Sequence, residues 1–151
     1  MELTEFISPQ LIKLELAATK KVDAIKELIE LLDKAGFVTD AEAFLKSVLE
    51  REKVGSTGIG KGIAIPHSRT STVREVVVAI GRSRPGIEFE ALDNKPVQLI
   101  FLIAAPVESG GLYLKALARL SRLLRYQEFR NDLMEAKTVE DIIKIISAEE
   151  K

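Results

Sequence analysis

The sequence predicts one α/β domain built on a mixed β-sheet and occupying residues 1–151. Three observations predict it. The chain has 151 residues, 46% of them hydrophobic, which suits one domain with one sizeable core. Segments with apolar residues at helical spacing alternate with short, apolar, strand-like runs. Some of those runs come in hairpin-like pairs and others are separated by helices, which mixes antiparallel and parallel neighbours in one sheet.

The elements follow in chain order. Leu11 to Leu16 alternates apolar and polar residues and reads as a short strand. Thr19 offers a helix cap before Val22, Ile25, Leu28, Ile29 and Leu32, which recur at helical spacing. Gly36 suits the left-handed position that ends such a helix. Asp40 is placed to cap a second helix carrying Phe44, Leu45, Val48 and Leu49. A loop is expected from Gly55 to Gly62, and Ile63-Ala64-Ile65-Pro66 is extended and apolar. Val76 to Ile80 and Val97 to Ala104 read as buried strands, with turns at Pro85-Gly86 and Asp93-Asn94 between them. Gly110-Gly111 opens a helix with Tyr113, Leu117, Leu120 and Leu124 on one stripe. Two short helices follow, over Glu128–Ala136 and, capped by Thr138, over Val139–Ile146. The sequence has no internal repeat, low-complexity stretch or linker.

Composition removes several function classes. Charged residues make up 30%, but their signs nearly cancel to −1, so the basic excess of a nucleic-acid binder is missing. No run approaches the ~20 apolar residues of a membrane span, and the acidic start, Met1 to Glu5, lacks the basic region of a secretory signal. The expected location is cytoplasmic, without direct membrane insertion. Cysteine is absent, which excludes disulfides, thiolate metal sites and thiol nucleophiles. A single histidine excludes a multi-histidine zinc site. No metal and no tightly held cofactor are expected.

The informative window runs from Arg51 to His67. Gly55 to Lys61 fits the opening of a phosphate-binding P-loop, G-x-x-x-x-G-K, but the magnesium-holding Ser or Thr is replaced by Gly62. The setting is also reversed, since this segment follows a helix and opens a strand. Gly58-x-Gly60-x-Gly62 likewise fails the dinucleotide spacing and context. The glycines permit positive φ and close backbone approach, and such a turn can aim N–H groups at an anion. On composition alone the better reading is a flexible connection between helix and strand.

His67 is the sharper feature. Imidazole titrates near neutral pH, with an unperturbed pKa of about 6.5, so a neutral ring nitrogen is available as a nucleophile. The other nitrogen can donate to a neighbour and fix the tautomer. At the exit of a strand the ring would be rigidly held yet able to face solvent. Arg51, Lys61 and Arg69 lie near enough in sequence to pair with phosphate oxygens, arginine bidentately. Without further context, a lone histidine is an ordinary surface or capping residue.

The run Arg-Glu-x-x-x-Ser-Thr-Gly-Ile-Gly-x-Gly-Ile-Ala-Ile-Pro-His supplies that context. It resembles the active-site segment of the fructose/mannitol enzyme IIA family of the bacterial phosphotransferase system, which includes the nitrogen-regulatory branch. Asp93 to Val97 with Leu99 to Ala104 resembles the strand leading to the family's second active-site segment. Leu114 to Leu120 with Leu123-Leu124 resembles the helix that follows. The resemblance implies a single enzyme IIA type-2 domain over 1–151, a mixed sheet with helices on both faces. It implies that His67 accepts a phosphoryl group on Nε2 from the histidine-containing phosphocarrier protein and passes it to a cysteine of an enzyme IIB domain. Arg51 matches the family's active-site arginine, which would stabilise the transferring charge. Thr57 and Ser68 are further candidates for the phosphate environment.

One position departs from the pattern. A second histidine usually precedes the Leu-Lys segment of the late helix, and Tyr113 stands there. Tyrosine can donate a hydrogen bond to phosphate or to His67 but carries no positive charge; it can equally pack as a buried aromatic. A helix N-terminus near Gly111 would supply part of the missing positive field. Three functions therefore compete: a sugar-transport phosphocarrier, a nitrogen-type regulatory protein whose partner affinity depends on His67 phosphorylation, and a sensor that keeps the fold without transfer.

Overall fold

A computed structural model describes residues 2–151. Among them lie a mixed six-stranded sheet and five α-helices, preceded by two 3-10 turns, Leu3–Phe6 and Pro9–Leu11. The strands are β1 (Ile12–Lys13), β2 (Gly58–Gly60), β3 (Ile63–Ala64), β4 (His67–Arg69), β5 (Val77–Ile87) and β6 (Val97–Ala105). The helices are α1 (Lys21–Lys34), α2 (Ala41–Val54), α3 (Gly111–Leu123), α4 (Gln127–Glu135) and α5 (Val139–Glu149).

β6 is the spine. It pairs antiparallel with β5 on one side and parallel with β3 and then β4 on the other. β1 adds parallel to β5 at one edge, and β2 adds antiparallel to β3 at the other. Side chains alternate along β6. Leu99, Phe101, Ile103 and Ala105 face a core shared with α3, α4 and α5, while Ile100, Leu102 and Ala104 face a core shared with α1 and α2. Burial on both faces explains why β6 is apolar without interruption from Leu99 to Ala105. Each such Leu, Ile or Phe contributes roughly 1.5–3 kcal/mol by leaving water.

Local rules set the helix ends. Asp40 accepts from the Ala43 N–H at 3.0 Å. Thr138 and Asp141 form a reciprocal capping box on α5. Gly36, at φ +81°, closes α1: its N–H reaches the Asp33 carbonyl and the Phe37 N–H reaches the Leu32 carbonyl, the paired bonds of a Schellman end.

Several sequence expectations are corrected by long-range pairing. The strand expected over Leu11 to Leu16 shortens to Ile12–Lys13, since Pro9–Leu11 is a 3-10 turn. Thr19 does not cap α1; Lys20 holds the cap position without a side-chain bond, and the Thr19 carbonyl accepts from the Glu88 N–H instead. The expected loop from Gly55 to Gly62 contains β2, which pairs with β3 across a tight turn at Lys61-Gly62, both with positive φ. Pro85-Gly86 is not a turn between strands. It lies inside β5, where the register with β6 slips between Arg82 and Ile87, and a proline is tolerated at such a bulge.

Candidate functional site

β3 and β4 run one after the other along the same side of β6, Ile63 opposite Leu99 and His67 opposite Ile103. His67 therefore opens β4 rather than leaving a strand. The ladder holds it at the carboxyl end of β6, where α3 starts, and the outer carboxyl ends of sheet strands are where open α/β sheets place ligands. Residues 63, 65, 67 and 69 share one face by the two-residue period. That face belongs to the core under α3, so the His67 ring meets Tyr113, with centroids 5.9 Å apart and planes tilted by 59°. The Arg69 guanidinium lies 5.0 Å from the Tyr113 centroid on the same face.

His67 is half-buried. Its Nδ1 lies 2.8 Å from the Ile65 carbonyl oxygen. A carbonyl can only accept, so Nδ1 carries the hydrogen and Nε2 keeps its lone pair. Burial holds the imidazole below the usual histidine range, and the Arg51 charge pushes the same way; the Ile65 carbonyl and the Glu52 carboxylate oppose them. Burial pushes the Tyr113 phenol above its usual range, against the opposing charges of Arg69 and Arg51. The site thus presents a neutral imidazole beside a neutral phenol, in the field of Arg51.

Arg51 sits in the last turn of α2 and donates from Nη1 to the Gly55 carbonyl at 2.9 Å. Tyr113 is the third residue of α3, so the helix start expected near Gly111 does lie beside His67. The structure thus brings together His67, Arg51 and Tyr113.

It does not bring in three others. Ser68 is one residue out of phase, so its hydroxyl crosses to the α2 face and bonds to Ser47. Thr57 is buried, and its hydroxyl and N–H are both committed to the Glu52 carboxylate. Lys61 stands in the β2–β3 turn, beside the start of β6 rather than its end. In the glycine run the N–H groups of Thr57, Gly58 and Lys61 are committed to Glu52, to Ser56 Oγ and to Asp93. A Cβ at Gly58 would lie 2.8 Å from the Ala91 Cβ and 2.9 Å from its Cα, so that glycine serves a close crossing of two chain segments.

Sequence reading missed Glu52 and Lys21. Glu52 is 8% exposed and pairs with Lys21 Nζ at 2.7 Å. A signal was available: Phe44, Val48 and Glu52 recur every four residues, which puts a carboxylate on the buried stripe of α2. Among the described residues, no group of three or more His, Cys, Asp or Glu side chains is placed to hold a metal ion. No helix among them is long and apolar enough to cross a membrane.

Comparison with known proteins places the chain in a family. The chain is 42% identical over 149 residues to the PTS system fructose-specific EIIA component of Haloferax volcanii, covering 95% of this chain and 97% of that one. It is 42% identical over 151 residues to the PTS system fructose-specific EIIABC component of Bacillus subtilis, covering the whole of this chain but only 24% of that protein's length. Among solved structures, the nitrogen regulatory protein IIA-Ntr of Neisseria meningitidis superposes with a TM-score of 0.87 at 30% identity, covering 95% of this chain and 97% of that one. Residues 5–149 match the phosphoenolpyruvate-dependent sugar phosphotransferase system EIIA 2 family. The chain belongs to that family.

Proposed function

We propose that this protein is a phosphocarrier whose His67 Nε2 accepts a phosphoryl group from the histidine-containing phosphocarrier protein and hands it to an enzyme IIB domain. The observation that carries the reading is the Nδ1 bond to the Ile65 carbonyl, which leaves the lone pair on Nε2. In the forward step that lone pair attacks phosphorus and a new N–P bond forms. The N–P bond to the donor imidazole breaks, and its electron pair returns to the donor ring. The hydrogen stays on Nδ1, and the Ile65 carbonyl that accepts from it helps disperse the positive charge that develops on the His67 ring. Arg51 pairs with the equatorial oxygens of the transferring group, and Tyr113 donates its phenolic hydrogen to the same oxygens. Handing on reverses the roles, with the IIB thiolate attacking and Nε2 as leaving group. In-line placement and charge stabilisation suffice for such a transfer.

A second reading has its own support. The likeness to a nitrogen regulatory protein at a TM-score of 0.87 favours a regulatory protein, in which the charge added at His67 changes affinity for a target. Both readings require the same modified atom. The test is phosphorus–proton NMR of the phosphorylated protein: phosphate on Nε2 is the expected result, and phosphate on Nδ1 would overturn the assignment. Measured transfer to a fructose-type IIB then supports transport, while phosphorylation that changes affinity for a target protein supports regulation.

A further inference from the structure

We propose that Glu52, held by Lys21 and Thr57, is a positioning residue for Arg51: it fixes the segment after α2 whose Gly55 carbonyl receives the Arg51 guanidinium. The inference rests on the phosphoryl-acceptor reading of His67.

Carboxylates are seldom buried without partners, and Glu52 has three contacts. One is Lys21 Nζ at 2.7 Å. The other two come from Thr57, whose N–H donates at 3.1 Å and whose hydroxyl donates to the same carboxylate. Lys21 belongs to the first turn of α1 and also lies 4.9 Å from the Phe89 ring centroid. The Glu52 carboxylate therefore joins α1, the end of α2 and the chain entering β2. Between Val54 and Thr57 the chain leaves α2 toward β2, and at Gly55 it runs extended and in the open, with nothing beyond its chain neighbours within 4 Å of a Cβ built there. Ser56 Oγ donates to the Phe89 carbonyl at 3.4 Å and the Thr57 carbonyl accepts from the Ile65 N–H at 3.0 Å, while among the described residues the Glu52 carboxylate is the one strap on Thr57 that comes from α2 itself. The Gly55 carbonyl, two residues from that strap, accepts from Arg51 Nη1 at 2.9 Å. Arginine is a long, rotamer-rich side chain that works best when its fork is already aimed. Release of the strap loosens Gly55 relative to the end of α2, and with it the aim of Arg51. Adjacent residues then divide the work: Arg51 meets the phosphoryl group, and Glu52 never touches it.

A buried ion pair could instead serve stability alone, so the test is a double-mutant cycle on single-turnover transfer from the phosphorylated carrier. Glu52→Gln is expected to slow transfer on the order of tenfold, the cost of a modest misplacement, with little change in donor KM. In an Arg51→Ala background most of that loss is expected to vanish, leaving only the small effect of removing the Glu52 charge from the neighbourhood of His67. An equal loss in both backgrounds, or no loss in either, would overturn the proposal. Should Glu52→Gln fail to fold, Thr57→Val removes one strap and keeps the ion pair; the same cycle then expects a few-fold loss that vanishes without Arg51. A second readout needs no transfer. Guanidinium NMR signals of Arg51 are expected to show restricted rotation in the wild type and averaging in the strap variants. Restricted signals in those variants overturn the positioning role, whereas absence of phosphorylation in wild type would count against the acceptor reading alone.

Discussion

The Tyr113 ring stands 5.9 Å from the His67 ring, tilted by 59°, and the Arg69 guanidinium lies 5.0 Å from the centroid of the same phenol. An uncharged donor thus occupies the position where the resemblance implies a second histidine. Tyr113→Phe keeps the ring packing and removes the phenolic donor. It is expected to slow phosphoryl transfer by at least about tenfold, with the modified residue still His67. Tyr113→His is expected to change the rate and leave the site of modification unchanged. Rates within error of wild type for both variants would remove Tyr113 from the mechanism.

Arg51 acts on the His67 ring and the Tyr113 phenol through its charge. Arg51→Ala is expected to lower the transfer rate on the order of 10²-fold or more. Arg51→Lys restores the charge but not the two-pronged geometry, so recovery should be partial. Rapid-quench measurement of phosphate on His67 reads both effects, and an unimpaired alanine variant would contradict the role.

Burial, aided by the Arg51 charge, keeps His67 neutral to lower pH than a free histidine. In the unfolded chain the group titrates near pH 6.5. The unfolded state therefore binds the extra proton first as pH falls, and stability must fall with it. The contribution is fully present above about pH 6.5 and is lost as pH drops toward the lower folded value. Denaturant melts from pH 8 to 5 should show that decline, and His67→Gln should flatten it. A variant with an unchanged pH profile would show that His67 is not the responsible group.

Gly58 carries a packing requirement. A methyl group there would lie 2.8 Å from the Ala91 Cβ, and the next contact, at 2.9 Å, is the Ala91 Cα of the backbone. Gly58→Ala is therefore expected to cost about 1–3 kcal/mol as overpacking, read as a lower thermal midpoint. Gly55→Ala, where nothing lies within 4 Å and φ is extended, should be nearly neutral.

Features governed by near neighbours were legible in the sequence. The caps at Asp40 and Thr138 and the Gly36 helix end follow from side chains and backbone within a few residues. The apolar run of β6, broken only at Gln98, announced a buried strand, and the structure covers it on both faces. The His67 window was legible because it is one continuous segment. What escaped depends on partners far along the chain. The Thr19 cap lost to the pairing of residues 19–20 with Glu88, Pro85-Gly86 became a bulge because β6 continues opposite it, and Lys61 was carried away by the β2–β3 turn. Ser68 is next to His67 in sequence but on the other face in space, as the strand period demands. Glu52 was hidden by the ordinary expectation that a helix-terminal glutamate is solvated.

The central claim is that His67 accepts a phosphoryl group, and intact-mass measurement tests it most directly. The protein is incubated with phosphoenolpyruvate, enzyme I and the histidine-containing phosphocarrier protein, then weighed before and after acid. The account predicts one added phosphate, lost in acid and absent from His67→Ala. No added mass with demonstrably active donors, or an added phosphate that persists in His67→Ala, would contradict it.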